Sequence, residues 1–209
     1  MKNKITTIII IILLIPQMVF AEWKVVDDSI EFLDLNSWTV FGLYIPLVYQ
    51  ITNQIKVEEV DNAIKRVNRR YPIDFDFTVH IMNFQVAYTM VLGIAQDINN
   101  IILFDFLPYS SDVLVNDVVA HELGHLVYNR LSDADKDIYK LYRGISTNWD
   151  DNSEYKSRPS EIFAEDFRLL FGGSLAKTFE HSNKEVKSPN EIKGLRDLIL
   201  NFEYKKSPN

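Results

Sequence analysis

The sequence predicts an α+β fold in which a small mixed sheet packs on a central helix and the C-terminal half is helical. Three observations carry that prediction. Short β-branched and aromatic runs separated by turn residues recur between Trp23 and Phe106 around one helical stretch, an apolar run from Val113 to Arg130 contains no breaker except Gly124, and helix start and stop signals follow behind it. Strands leading into a central helix with further helices behind it is the order of an α+β chain.

The first twenty-one residues stand apart from that fold. Lys2 and Lys4 precede the apolar run Ile8 to Ile15, and the segment ends Val19-Phe20-Ala21, the pattern of a signal peptide cleaved before Glu22. The run is short for a membrane span, so export is the expectation and an uncleaved anchor the alternative. Residues 22–209 are expected to form one domain, with a β region and a helix over 22–72 and the core that carries the site over 73–209. No repeat, low-complexity tract or Pro/Gly/Ser linker divides them.

Within 22–72, the stretches Val25-Val26, Ile30 to Leu33 and Trp38 to Tyr49 favour strands. Val57, Val60, Ala63, Ile64 and Val67 then fall at helical spacing over 56–70, and Pro72 closes the segment. Phe75 to Met82, Tyr88 to Ala95 and Ile101 to Phe106 read as consecutive strands of one sheet. Ser110-Ser111-Asp112 supplies the hydroxyls and carboxylate that cap the central helix. Ser132-Asp133-Ala134-Asp135 opens a shorter helix that Gly144 ends, and residues 145–157 read as loop. Pro159 suits the first turn of the next helix, which Gly172-Gly173 stops, and a last helix is expected over Asn190 to Tyr204.

Composition narrows the functional classes. The chain is 47% hydrophobic and 24% charged, too apolar to be disordered. Its net charge is −7, and loss of Lys2 and Lys4 with residues 1–21 leaves 20 basic against 29 acidic residues, or −9. Nucleic-acid binding and stable membrane association therefore have no electrostatic support. With no cysteine, disulfides, thiolate metal ligands and a cysteine nucleophile are all excluded.

The segment His121-Glu122-Leu123-Gly124-His125 places two imidazoles four residues apart, on one face of a helix, with a carboxylate beside the first. Zinc binds imidazole nitrogen at about 2.0–2.1 Å, and that spacing lets both rings reach one ion while Glu122 serves as general base. A catalytic zinc needs a third protein ligand. His80 lies on an early strand and His181 beyond the glycine stop, so the candidates are the carboxylates of Pro159 to Phe167. Glu161 and Glu165 are four apart and share a helix face, so one can bind the metal while the other hydrogen-bonds a ligating imidazole. Spacing alone does not choose between them or exclude Asp166.

His-Glu-Leu-Gly-His followed by Ser160-Glu161-Ile162-Phe163-Ala164-Glu165-Asp166-Phe167-Arg168-Leu169-Leu170-Phe171 resembles the gluzincin-type metallopeptidases. Within these it is most similar to the catalytic domain of anthrax lethal factor and to the secreted Pro-Pro endopeptidases, over about residues 75–175. The resemblance implies a zincin-like fold, one zinc per chain, and Glu161 as the third ligand, which leaves Glu165 to orient a histidine. It also implies a tyrosine shortly before that ligand as oxyanion donor. Tyr155 is nearest, one residue off the family spacing, with Tyr109 and Tyr142 as alternatives. A peptide substrate is expected to lie antiparallel to the strand Leu92, Gly93, Ile94, Ala95 and Gln96.

The expected function is that of a secreted, monomeric zinc endopeptidase acting on protein or peptide, in which zinc activates a water and Glu122 takes its proton. The alternative is a secreted zinc-binding protein of the same fold that acts by binding a partner. Retention of Glu122 argues against it, since a structural zinc site has no use for an unligated carboxylate beside the metal.

Overall fold

The computed structural model describes residues 22–27, 39–40, 43–44, 48–50, 55–82, 84–86, 92–104, 112–145 and 153–202. The expected signal peptide, most of the N-terminal β region, Ser110 and Ser111 of the expected cap, Tyr109, most of the 145–157 loop and Tyr204 lie outside these. Among the described residues no helix is long and apolar enough to cross a membrane.

The fold is mixed α+β. Strands β1 (Trp23–Asp27), β5 (Phe77–Met82), β8 (Asn100–Phe104) and β7 (Gly93–Gln96) form a four-stranded sheet in that order. The pairs β1–β5 and β5–β8 are parallel, and β7 joins β8 antiparallel. Short strands β2 (Thr39–Val40) and β3 (Leu43–Tyr44) pair with each other, as do β4 (Val48–Gln50) and β6 (Phe84–Val86). The three strands expected over 75–106 thus share one sheet, but β8 inserts between β5 and β7. Helix α1 (Val57–Asn68) connects parallel neighbours β1 and β5, as a crossover must, and buries Val60, Ala63, Ile64 and Val67.

The β7–β8 turn explains the antiparallel pairing of β7 with β8, which among the described residues leaves β7 at the end of the sheet. Asp97 adopts a left-handed conformation at φ 58°, and its Oδ1 accepts hydrogen bonds from the Asn99 (2.6 Å) and Asn100 (3.2 Å) amides. An aspartate that bonds its own following backbone tolerates this region better than most residues.

Helix α2 (Asp112–Arg130) is buried along most of its length and packs between the sheet side and helix α4 (Pro159–Phe171). Gly124 is the point of closest approach, since a Cβ there would stand 2.7 Å from the Ala164 Cα. Helix α3 (Asp133–Arg143) starts as expected, with the Ser132 hydroxyl accepting from the Asp135 amide at 3.1 Å, and ends at left-handed Gly144. Pro159 occupies the first turn of α4, and Gly172 follows its last residue. The α4 face opposite the site packs Phe163, Phe167 and Phe171 against Tyr71, Tyr128 and Tyr139, with Tyr71–Phe167 and Tyr139–Phe163 ring centroids both 4.8 Å apart. The expected last helix is shorter than its pattern suggested. A 3-10 turn spans Pro189–Glu191, Gly194 breaks the path at φ 84°, and only α5 (Leu195–Leu200) is α-helical.

Candidate metal centre

Helix α4 is unusual in burying Glu161, Glu165, Asp166 and Arg168 in one run. Buried charges persist only when paired, so the partners reveal what the helix is arranged to do. At roughly 100° of rotation per residue, Glu161, Glu165 and Arg168 fall on one face, towards α2, and Asp166 on another. Asp166 faces α3, where its Oδ2 accepts from Arg143 Nε at 2.7 Å and the Tyr139 hydroxyl at 2.8 Å, so it takes no part in the site.

On the α2 side, His121 and His125 converge on Glu161. Their Nε2 atoms are 3.1 Å apart, and they lie 3.3 Å and 3.4 Å from the two Glu161 oxygens respectively. These three residues form the group among the described residues that could hold a metal ion. Neither His80 nor His181 belongs to it. The latter is held 3.4 Å from Asp166 through Nε2, while its Nδ1 accepts from the Asn183 amide.

Glu165 lies one helical turn beyond Glu161, with Oε1 2.9 Å from His121 Nδ1. An ionised carboxylate only accepts, so Nδ1 carries a proton, and once Nε2 gives up its own proton its lone pair faces Glu161 and His125. Burial raises the Glu165 pKa, but hydrogen bonds from His121 and Arg168 outweigh it and hold the carboxyl well below its usual range. Burial likewise opposes the charge on Glu161, yet His121 and His125 bring its pKa down to about 2. For His121, burial disfavours the imidazolium, and Glu161 and Glu165 reverse that preference, raising the pKa to about 10.

Glu122 stands on the same helix but a residue further round, 6% exposed, and contacts β7. Burial pushes its pKa upward against the pull of the two histidines and, more weakly, of the Ala95 backbone amide. The Leu92 carbonyl accepts from Phe104 N–H at 3.1 Å, and antiparallel alternation then turns the amide groups of Gly93 and Ala95 away from β8. Those groups open onto a cleft of about 620 Å³ lined by Leu92 to Ala95, His121, Glu122, His125, Tyr155 and Glu161. Gln96, the last residue of the expected edge, is exposed and is not part of the lining.

Tyr155 opens a 3-10 turn, Tyr155–Ser157, that leads directly into α4. The residue is 61% exposed and borders the cleft. Partial burial of the hydroxyl, with the charge and hydrogen bond of Glu161, moves its pKa well above the usual tyrosine value. Tyr142 lies elsewhere, its hydroxyl donating to the Lys193 carbonyl at 2.6 Å. The sequence reading does not single out Asp117 or Arg168. Asp117 lines the cleft one turn before His121, and Arg168 bonds both it and Glu165. The available signal was a charged residue at helical spacing from Glu161 and Glu165 inside an otherwise apolar run. No protein-family model, curated protein or solved structure matches this chain.

Proposed function

We propose that this protein is an exported zinc-dependent endopeptidase. The observation that carries the reading is the convergence of His121, His125 and Glu161 with a further carboxylate, the buried Glu122, that is not one of the three and faces the same cleft. Ligands about 2.0–2.1 Å from a tetrahedral zinc stand about 3.3 Å from one another. The two imidazole nitrogens are 3.1 Å apart and each lies 3.3–3.4 Å from a different Glu161 oxygen, and one ligand atom from each of the three residues lies within 4.8 Å of the others, so a small shift of the carboxylate reaches that arrangement. Two imidazole nitrogens and one carboxylate are also a donor set that suits zinc and leaves a fourth position for water or substrate.

Bound there, zinc would supply a Lewis acid that lowers the pKa of water to about 7 and polarises a peptide carbonyl. The residues supply the rest. Glu122 accepts a proton from the attacking water and returns it to the leaving amine. Tyr155 presents a hydroxyl donor to the developing oxyanion, and Glu165 keeps the His121 ring in register. An extended peptide pairs with the outward groups of Gly93 and with the Ala95 carbonyl. Because Gly93 packs against the Glu122 side chain, one strand borders both the substrate and the base.

The test is digestion of a peptide library by the zinc-loaded protein, read by mass spectrometry. Cleavage is expected, with loss on chelation and return when zinc is restored; absence of cleavage by a protein holding one zinc per chain overturns the reading. Gly93→Ala probes the strand itself. A Cβ at residue 93 would stand 2.8 Å from Val118 Cγ1 and 2.9 Å from both Cγ and Oε1 of Glu122, closer than such contacts allow. Displacing the base by about 1 Å is expected to lower kcat about 10²-fold, with zinc content unchanged by metal analysis.

A further inference from the structure

Arg168 is 1% exposed and uses its whole guanidinium. Nε and Nη2 form a fork on Glu165, at 3.2 Å to Oε1 and 2.9 Å to Oε2. Nη1 donates to Asp117 Oδ1 at 2.6 Å, and the remaining contacts go to the carbonyls of Ala176, Phe179 and Glu180 in the segment after α4. That segment returns the contact, because the Ser182 amide donates to Glu165 Oε2 at 2.9 Å. Glu165 alone could rotate about its side-chain torsions. Gripped on both oxygens by a planar fork, it can present Oε1 to His121 Nδ1 in only one way.

We infer that Arg168 is a positioning residue for His121, acting through Glu165 and braced by Asp117 and the 176–180 carbonyls. The inference rests on the reading of His121 as a metal ligand. Lysine in place of Arg168 keeps the charge but offers a single point donor, which cannot hold two carboxylates and three carbonyls at once. The network therefore acts on the metal by fixing the tautomer and tilt of a ligating ring, a role distinct from packing α4 against α2.

The experiment measures zinc affinity of the full chain by competition with a chromophoric chelator, alongside far-UV circular dichroism and the ¹⁵N pattern of the histidine rings. Arg168→Lys is expected to fold, to bind zinc about 10–100-fold more weakly and, when zinc-loaded, to lose the single Nδ1–H form of His121. A folded Arg168→Lys protein with wild-type affinity and an unchanged ring pattern overturns the inference while leaving the metal site intact. A wild-type chain that binds no zinc refutes the site itself, and the inference with it. If Arg168→Lys does not fold, Asp117→Asn decides. Removing that brace from a partly exposed position is expected to weaken zinc binding in the same direction, and unchanged affinity overturns the inference.

Discussion

Glu122→Gln is expected to lower peptide hydrolysis about 10²–10⁴-fold while leaving zinc content unchanged, the range by which a positioned general acid–base group contributes. Glutamine keeps the volume and an acceptor oxygen, so the packing against β7 at Gly93 survives and only proton acceptance is lost. Glu122 lies outside the group that could hold the metal, so the variant separates chemistry from metal binding. Digestion of the peptide library with both proteins, each at one zinc per chain, reads the difference. Equal cleavage by the two would remove Glu122 from the mechanism. If neither cuts, the same fold acts by holding zinc for a partner, and capture by the zinc-loaded chain becomes the relevant measurement.

The parts of the site that were legible in the sequence are those fixed by local periodicity. Two histidines four apart on a helix must share a face, and Glu161 and Glu165 do so for the same reason. The Ser132 cap, the Pro159 start and the Gly172-Gly173 stop were readable because each satisfies or removes a backbone group within one turn. What was not legible depends on contacts distant in sequence. The insertion of β8 between β5 and β7 is a choice among pairings that all bury the same apolar faces, and no local pattern distinguishes them. The role of Asp117 beside Arg168 follows from how closely α4 approaches α2 at Gly124, a feature of packing. The last helix failed for the opposite reason. Leu195, Leu198 and Ile199 carry a helical pattern, but Pro189 and left-handed Gly194 interrupt the backbone before it.

The choice between the two glutamates, which spacing left open, yields the second large effect. Glu161→Gln is expected to abolish stoichiometric zinc retention, with affinity falling by more than about 10²-fold, whereas Glu165→Gln is expected to cost about 10–100-fold. Both Glu161 oxygens lie within 3.4 Å of a histidine Nε2, the atoms that converge, while Glu165 meets His121 at the other ring nitrogen, Nδ1. An amide at residue 161 loses the negative charge and is a poor zinc donor. At residue 165 it can still accept from Nδ1 through its oxygen, although its NH2 group then faces the donors of Arg168 and Ser182. That conflict predicts a further distinction. Glu165→Gln should destabilise the fold, because it turns a buried carboxylate with donors on both oxygens into a mispaired amide, typically costing about 1–3 kcal/mol. Glu161→Gln also loses the pairing with His121 and His125 but leaves no such fork mispaired, so when both are free of metal it should be destabilised less than Glu165→Gln. Chelator competition and thermal denaturation of the two variants side by side separate the residue that binds from the residue that orients. The reverse pattern would exchange their roles.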